Sequence, residues 1–179
     1  KSSDGIDIPS NICITKLETK NRIKEYHLPY HKALNKKLHS LDRKFNRKTS
    51  LVCIHSFTPS LQRKKIRPWH IGLLFLNDKR LTSLFSIEIK KNKKLVLGLN
   101  QPYKMRLEGD FTIPFFAEIN GLPYVLIEVR QDLLIKKETI FYWNNLISKI
   151  LIKYYDHSSL KYFTKTSNKI NKYYIDNNR

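Results

Sequence analysis

Hydrophobic residues recur along the chain with two periodicities, one typical of helices and one typical of buried strands. Apolar residues three or four positions apart predict an amphipathic helix from Pro29 to about Phe45. Short apolar runs predict strands at about 51–55, 69–76, 95–99 and 123–130. Further helices are predicted at about 15–26, 78–91, 114–120 and 138–155. Strands that alternate with helices indicate an α/β fold with a mixed, largely parallel sheet flanked by helices.

Length and composition predict one domain followed by a tail. The 179 residues are 41% hydrophobic, which is enough for a core. From Asp156 onwards Ser, Asn, Lys and Tyr predominate, so we expect a single domain over 1–155 and a loosely held tail over 156–179. No apolar run reaches the ~18 residues that cross a bilayer, so no membrane partner is expected. Two cysteines are too few for a disulfide framework, which favours a cytoplasmic location.

The chain is strongly basic, with a formal net charge of +19. Lysine predominates over arginine, and isoleucine and asparagine are also abundant, which is typical of AT-rich codon usage and a solvated surface. Clusters that bind phosphate usually use arginine as well, so a nucleic-acid partner is not expected. The alternative is a basic nucleic-acid-binding module that uses the Lys- and Tyr-rich segment 161–174. A basic surface would in any case attract small anionic substrates.

Two polar residues occur where the apolar pattern predicts strands. The strand at 51–55 ends in His55, and Glu128 lies among apolar neighbours in the strand at 123–130. A buried carboxylate must be paired, neutral or functional. An internal ion pair with Arg130, two residues further along the same face, is the structural alternative. A neutral imidazole suits zinc, so the pair indicates a metal-assisted hydrolase.

Other polar positions are predicted to be structural. His27 and His31 are four residues apart, but Pro29 lies between them and no catalytic glutamate follows, so no metal pair is expected. Asp78 and Arg80 are expected to cap and pair at the start of a helix.

Short motifs run in a fixed order through about residues 3–151. They are Ser3-Asp4-Gly5 with Ile8-Pro9, Pro29-Tyr30-His31, His55-Ser56-Phe57-Thr58-Pro59, Arg67-Pro68-Trp69-His70-Ile71-Gly72, Asn77-Asp78-Lys79-Arg80-Leu81, Asn100-Gln101-Pro102-Tyr103, Asp110-Phe111-Thr112-Ile113-Pro114, Ala117-Glu118, Gly121-Leu122-Pro123 and Ile127-Glu128-Val129-Arg130-Gln131-Asp132-Leu133. Each motif is short, but the ordered series resembles the N-formylglutamate amidohydrolase family.

The resemblance implies a fold similar to that of the zinc carboxypeptidases and the wider phosphorylase/hydrolase-like group, with a metal site at one edge of the sheet. It implies that His55 is a zinc ligand and that Glu128 is the general base and acid. Zinc lowers the pKa of a bound water and polarises an amide carbonyl, and a nearby carboxylate can transfer the proton. The implied activity is zinc-dependent hydrolysis of the amide bond of an N-acylated, N-formyl acidic amino acid.

The implied substrate carries carboxylates, which guanidinium groups bind in a bidentate fork. Arg67 and Arg130 are therefore the candidate carboxylate-binding residues. Asn100 and His70 are expected to line the same substrate site.

The chain also departs from the family pattern. The family's first metal-binding motif precedes the Ser-Asp-Gly segment, so the further zinc ligands are expected upstream of Lys1, and the chain is expected to lack the N-terminal part of the family domain. Phe116 stands where many relatives carry histidine, and Leu99 and Gln101 flank Asn100 where relatives carry acidic residues. These departures leave open a catalytically degenerate paralogue that acts as a binding protein.

Overall fold

The structure, a computed structural model, divides the chain into two units, Lys1–Phe45 and Asn46–Arg179, and each is described by itself. The residues that it describes are 2–3, 6–45, 49–61, 65–107 and 109–161. None of the helices in these ranges is both long and apolar enough to cross a bilayer.

The first unit is mainly helical. A short antiparallel pair, β1 (Ser2–Ser3) and β2 (Ile6–Asp7), precedes the helix α1 (Lys16–Arg22). Thr15 caps α1, because its Oγ1 accepts a hydrogen bond from the Glu18 N–H at 3.1 Å. The Glu18 carboxylate does not complete a capping box. It accepts a hydrogen bond from Arg22 Nε at 2.8 Å.

The sequence predicts a break between a helix that ends at about residue 26 and a second helix that begins at Pro29, but the structure has no such break. A π-helical turn, Ile23–His27, joins α1 directly to α2 (Leu28–Phe45). In this turn the Leu28 N–H donates to the Ile23 carbonyl, five residues back. Proline has no N–H and clashes with the regular α-helical ladder, and the wider turn accommodates it without ending the helix.

The second unit is built on a four-stranded sheet flanked by α3 (Arg80–Ile89) and α4 (Lys137–Tyr154). Its strands are β3 (Leu51–Phe57), β4 (Ile71–Leu74), β5 (Leu97–Leu99) and β6 (Tyr124–Arg130), in the spatial order β3-β6-β4-β5. Two of the three pairings are parallel, and only β4 with β6 is antiparallel. The predicted mixed, largely parallel α/β sheet is therefore confirmed. The predicted helix at 114–120 is a single π-helical turn, Pro114–Glu118.

One face of the sheet packs against both helices and forms the core. The buried residues are Ile71 and Leu73 from β4, Val125, Ile127 and Val129 from β6, Leu81, Leu84, Phe85 and Ile89 from α3, and Trp143, Ile147 and Ile150 from α4. Each such side chain stabilises the fold by roughly 1.5–3 kcal/mol when fully buried. Alternate residues of the same strands project to the other face, which carries the polar groups.

The packed part of the second unit extends beyond the boundary predicted at residue 155. Ser158–Leu160 form a 3₁₀ turn, and Leu160 is buried in the same core. The turn is also held by Arg80, whose Nη1 donates to the Ser159 carbonyl at 3.3 Å. The sequence pattern did not predict this turn, because the segment is polar in composition and a single buried leucine gives no periodic signal. Residues 162–179 of the predicted tail lie outside the described residues.

Candidate active site

The structure brings His55 and Glu128 together. The parallel register pairs them directly, two residues before the last residues of β3 and β6, so both side chains project from the same face. The His55 Nδ1 and Glu128 Oε1 atoms are 3.7 Å apart. The strand-end histidine and the carboxylate inside the apolar strand therefore form one site, on the face opposite the helical core.

The two side chains of this pair differ in environment. The His55 side chain is 58% exposed, whereas that of Glu128 is 6% exposed. Within the part of the chain that the structure describes, the buried Glu128 Oε2 has no hydrogen-bond partner. Burial raises the pKa of Glu128 to about 7; the Asp110 carboxylate also raises it, and the Arg67 guanidinium lowers it. A carboxyl group with a pKa near neutrality can both accept and donate a proton.

A glycine lies beside Glu128 on the neighbouring strand. Gly72 is its register partner on β4, and Gly98 is the partner of Gly72 on β5. A Cβ at Gly72 would lie 2.1 Å from the Gln101 carbonyl oxygen, and one at Gly98 would lie 2.9 Å from the Trp69 ring. The two glycines therefore allow the loop after β5 to cross directly over the sheet, next to Glu128.

Arg67 lies close enough to influence Glu128 and is oriented by groups on two segments. Its Nη1 donates to the Thr58 carbonyl at 3.0 Å and to the Tyr103 hydroxyl at 3.2 Å. Its guanidinium also lies over the Tyr103 ring, 5.1 Å from the centroid. The loop that crosses the glycines delivers Tyr103, so Arg67 is held at the same face as the pair.

Arg130 is held by other groups of the protein. It does not form the predicted internal ion pair with Glu128. Its Nε and Nη2 donate to the Asp132 carboxylate at 2.8 and 3.2 Å. Its Nη1 donates to the backbone carbonyls of Arg67, at 2.9 Å, and Trp69, at 3.4 Å. These four contacts engage a guanidinium whose side chain is only 12% exposed, and any contact of Arg130 with a substrate stays a prediction.

Asn100 and His70 are held by backbone groups at strand ends. Asn100 has a positive φ of 51°, and its Oδ1 accepts from the Phe75 N–H at 2.9 Å, which ties the end of β5 to the end of β4. His70 Nδ1 accepts from the Val96 N–H at 2.9 Å, and burial lowers its pKa. These contacts give both residues a structural function, and any contact with substrate stays a prediction.

Sequence reasoning assigned no role to Tyr103, Asp110 or the two glycines of the sheet face. Tyr103 orients Arg67, and the Asp110 carboxylate acts on the pKa of Glu128. Both residues belong to the ordered motifs, and that membership was the available signal. Their contacts join positions distant in sequence, which no local pattern indicates.

A second buried carboxylate lies near the other end of β6. Glu118 is 6% exposed, and its Oε1 accepts from Asn77 Nδ2 at 2.9 Å. Its Oε2 accepts a hydrogen bond from the Tyr124 hydroxyl, which in turn accepts from the Leu76 N–H at 2.9 Å. Burial and Glu118 hold the pKa of Tyr124 well above its usual value. This carboxylate is fully engaged by protein groups.

Asp78 and Arg80 pair at the start of α3, as predicted. The Asp78 Oδ1 accepts from the Arg80 N–H at 2.9 Å, and Arg80 Nε donates to Asp78 Oδ2 at 3.0 Å. Arg80 Nη2 also donates to the Gly121 carbonyl at 2.8 Å. This second arginine–aspartate fork has the same plan as the Arg130–Asp132 fork but a purely structural setting.

A zinc ion would find only part of a ligand set here. The exposed His55 imidazole suits one coordination position, but the described ranges contain no group of three His, Cys, Asp or Glu side chains arranged to hold a metal ion. A protein zinc site uses three or four such ligands. A zinc ion at His55 would therefore need ligands from outside these ranges.

The fold is therefore a mixed α/β domain, and its imidazole–carboxyl pair forms a polar site near the carboxyl ends of two strands. The sequence model of the N-formylglutamate amidohydrolase family matches residues 4–135, and the chain belongs to this family. It is also similar to a gene product from Agrobacterium tumefaciens known from a crystal structure, with 27% identity and a TM-score of 0.72. That match covers 87% of this chain and 62% of the other, so the chain spans less than two thirds of that protein. No curated protein matches significantly.

Proposed function

We propose that this protein takes part in hydrolysis of the amide bond of an N-acylated acidic amino acid, of which N-formylglutamate is the first candidate. Membership of the N-formylglutamate amidohydrolase family supports the reaction class. The observation that carries the proposal is the contact between His55 and a buried, incompletely hydrogen-bonded Glu128. Structural carboxylates are normally satisfied by protein groups, so an unsatisfied one beside an imidazole favours a reactive role.

In this proposal Glu128 carries the proton. Its carboxylate accepts a proton from the attacking water and donates it to the departing nitrogen, and a pKa of about 7 suits both steps. Arg67 holds a carboxylate of the substrate through its guanidinium. His55 would supply one ligand to a zinc ion whose further ligands come from outside the described residues. Such an ion would act as a Lewis acid towards the amide carbonyl.

Substitution of Glu128 by glutamine tests the proposal. The change keeps the size of the side chain but removes proton transfer, so kcat for N-formylglutamate should fall by about 1,000-fold. His55→Gln should lower the bound zinc, measured by elemental analysis, whereas Glu128→Gln should leave it in place. Thermal unfolding of each variant controls for loss of the fold.

Unchanged turnover in Glu128→Gln would remove this residue from the mechanism. A wild-type protein that binds N-formylglutamate without turning it over would favour the binding-protein alternative. The Lys- and Tyr-rich segment 161–174 lies outside the described residues except for Lys161, so the nucleic-acid alternative stays a prediction. Salt-dependent binding of single strands would support it.

A further inference from the structure

Arg67 lies in a stretch that contains neither helix nor strand, yet its guanidinium must stay near Glu128 to act on a substrate. The backbone from Lys65 to Trp69 follows an irregular path. Among the described residues, two kinds of contact hold this backbone. The Arg67 N–H donates to the Pro59 carbonyl at 2.7 Å, and the Arg130 guanidinium donates to the carbonyls of Arg67 and Trp69.

We propose that Arg130 is a positioning residue, which fastens the Arg67–Trp69 backbone to the end of β6 and thereby sets the Arg67 guanidinium beside Glu128. Arg130 is well placed for this function because its own backbone N–H donates to the His70 carbonyl at 3.0 Å. It lies two residues after Glu128 on the same rigid strand. The position of the Arg67 backbone is thus tied to the strand that carries the carboxyl group.

Asp132 completes this arrangement. Its carboxylate accepts from two nitrogens of the Arg130 guanidinium, which fixes the plane of the group and balances its charge. The remaining terminal nitrogen then faces the two backbone carbonyls. A lysine cannot replace this geometry, because a single ammonium group lacks a planar fork with donors in two directions.

Arg67 depends on this fastening. Its Nη1 reaches both the Thr58 carbonyl and the Tyr103 hydroxyl, at 3.0 and 3.2 Å. Both distances lie within the usual range for hydrogen bonds, and a backbone shift of about 1 Å would lengthen both contacts beyond it and break them. Loss of the Arg130 contacts is therefore expected to misplace the Arg67 guanidinium and leave β6 intact.

Hydrogen exchange tests the structural part without requiring activity. In Arg130→Lys the Arg67 amide should exchange about tenfold faster or more, because its segment opens more often. Asp132→Asn, a milder change, should accelerate the same amide to a smaller extent. Arg80→Lys disrupts the equivalent arginine–aspartate fork at α3 and is the matched control, which should leave this amide unchanged. Equal exchange in wild type, Arg130→Lys and Asp132→Asn would overturn the proposal.

A double-variant cycle tests the functional part, which rests on the proposed amidohydrolase function. If Arg130 acts through Arg67, kcat/KM of Arg67→Gln/Arg130→Lys should lie within about twofold of Arg67→Gln alone. Fully additive losses would show that Arg130 contacts the substrate independently, and would overturn the proposal. If the wild type hydrolyses no N-acyl amino acid, the proposed function fails, and the exchange experiment still decides whether Arg130 fastens the segment.

Discussion

Glu118, which precedes the inner strand β6, and Glu128, which lies on it, are both buried carboxylates, but their surroundings differ. Glu118 accepts hydrogen bonds from Asn77 and Tyr124, whereas Glu128 has one oxygen without a partner in the described ranges and an exposed imidazole 3.7 Å from the other. Equal burial therefore accompanies opposite hydrogen-bonding environments. A carboxylate that the protein satisfies stabilises the fold, and one that it leaves unsatisfied is available to a ligand.

The largest effect is expected from removal of the satisfied carboxylate. Glu118→Ala leaves Asn77 Nδ2 and the Tyr124 hydroxyl without their acceptor and opens a cavity. Unfolding in urea should show a loss of about 3 kcal/mol in the free energy of unfolding. Glu128→Ala is the matched control and should cost much less. Equal losses in the two variants would contradict the distinction between these carboxylates.

Substitution of the unsatisfied carboxylate should have the opposite sign. The pKa of Glu128 is raised from 4.5 to about 7 in the folded protein. Below pH 4.5 the group is protonated in both states and carries no penalty. As the pH rises to 7, the unfolded state ionises first and the wild type loses stability. Glu128→Gln should therefore gain roughly 2 kcal/mol over wild type at pH 8.

The pH dependence of this gain is the critical measurement. Urea unfolding of wild type and Glu128→Gln at pH 4 should give nearly equal stabilities, with the difference developing between pH 4.5 and 7. A constant difference at all pH values would mean that burial does not raise the pKa of Glu128.

A smaller effect is expected at the hydroxyl that satisfies Glu118. Tyr124→Phe removes the hydrogen bond to Glu118 and the acceptor of the Leu76 N–H while keeping the ring buried. Thermal or urea unfolding should show a loss of about 1–2 kcal/mol. The pKa of Glu128, followed by NMR, should not change in this variant, because the two carboxylates lie near opposite ends of β6. A change in the pKa of Glu128 would contradict the view that the environments of Glu118 and Glu128 are separate.

The smallest effects are shifts in the titration of Glu128. Asp110→Asn removes a neighbouring negative charge and should lower the pKa, and Arg67→Gln removes a positive charge and should raise it. Carboxyl ¹³C chemical shifts across a pH titration measure both. Shifts in the same direction would mean that reorganisation of the site outweighs the direct charge effect.

The fold and the His55–Glu128 pair could both be predicted from the sequence, and for the same physical reason. Apolar runs predict strands, so a polar residue that ends or interrupts such a run is conspicuous, and both His55 and Glu128 were found in this way. The parallel neighbourhood of β3 and β6 then places them in register. The residues around the pair were harder to predict, because exposed or irregular segments carry no periodic signal.

Arg130 illustrates this limit. An ion pair with Glu128, two positions away on the same strand, was the structural alternative for Arg130, and instead this residue pairs with Asp132 just beyond the strand. The choice depends on where the chain turns after β6 and on the carbonyls of a segment about 60 residues earlier. The spacing of the residues around Arg130 predicts neither the turn nor the position of these carbonyls. The π-helical turn before Pro29 and the buried Leu160 were missed for similar reasons.

The adjacent glycines of β4 and β5 constrain how this protein can vary. The Gln101 backbone fills the space over Gly72, and the Gln101 Cβ and the Trp69 ring fill the space over Gly98, so neither glycine has room for a methyl group. An added methyl at Gly72 would lift the crossing loop and carry Tyr103 away from Arg67, while the helical core on the reverse face stays intact. Substitutions at these two glycines would therefore change the proposed ligand contact of Arg67 before they destabilised the domain.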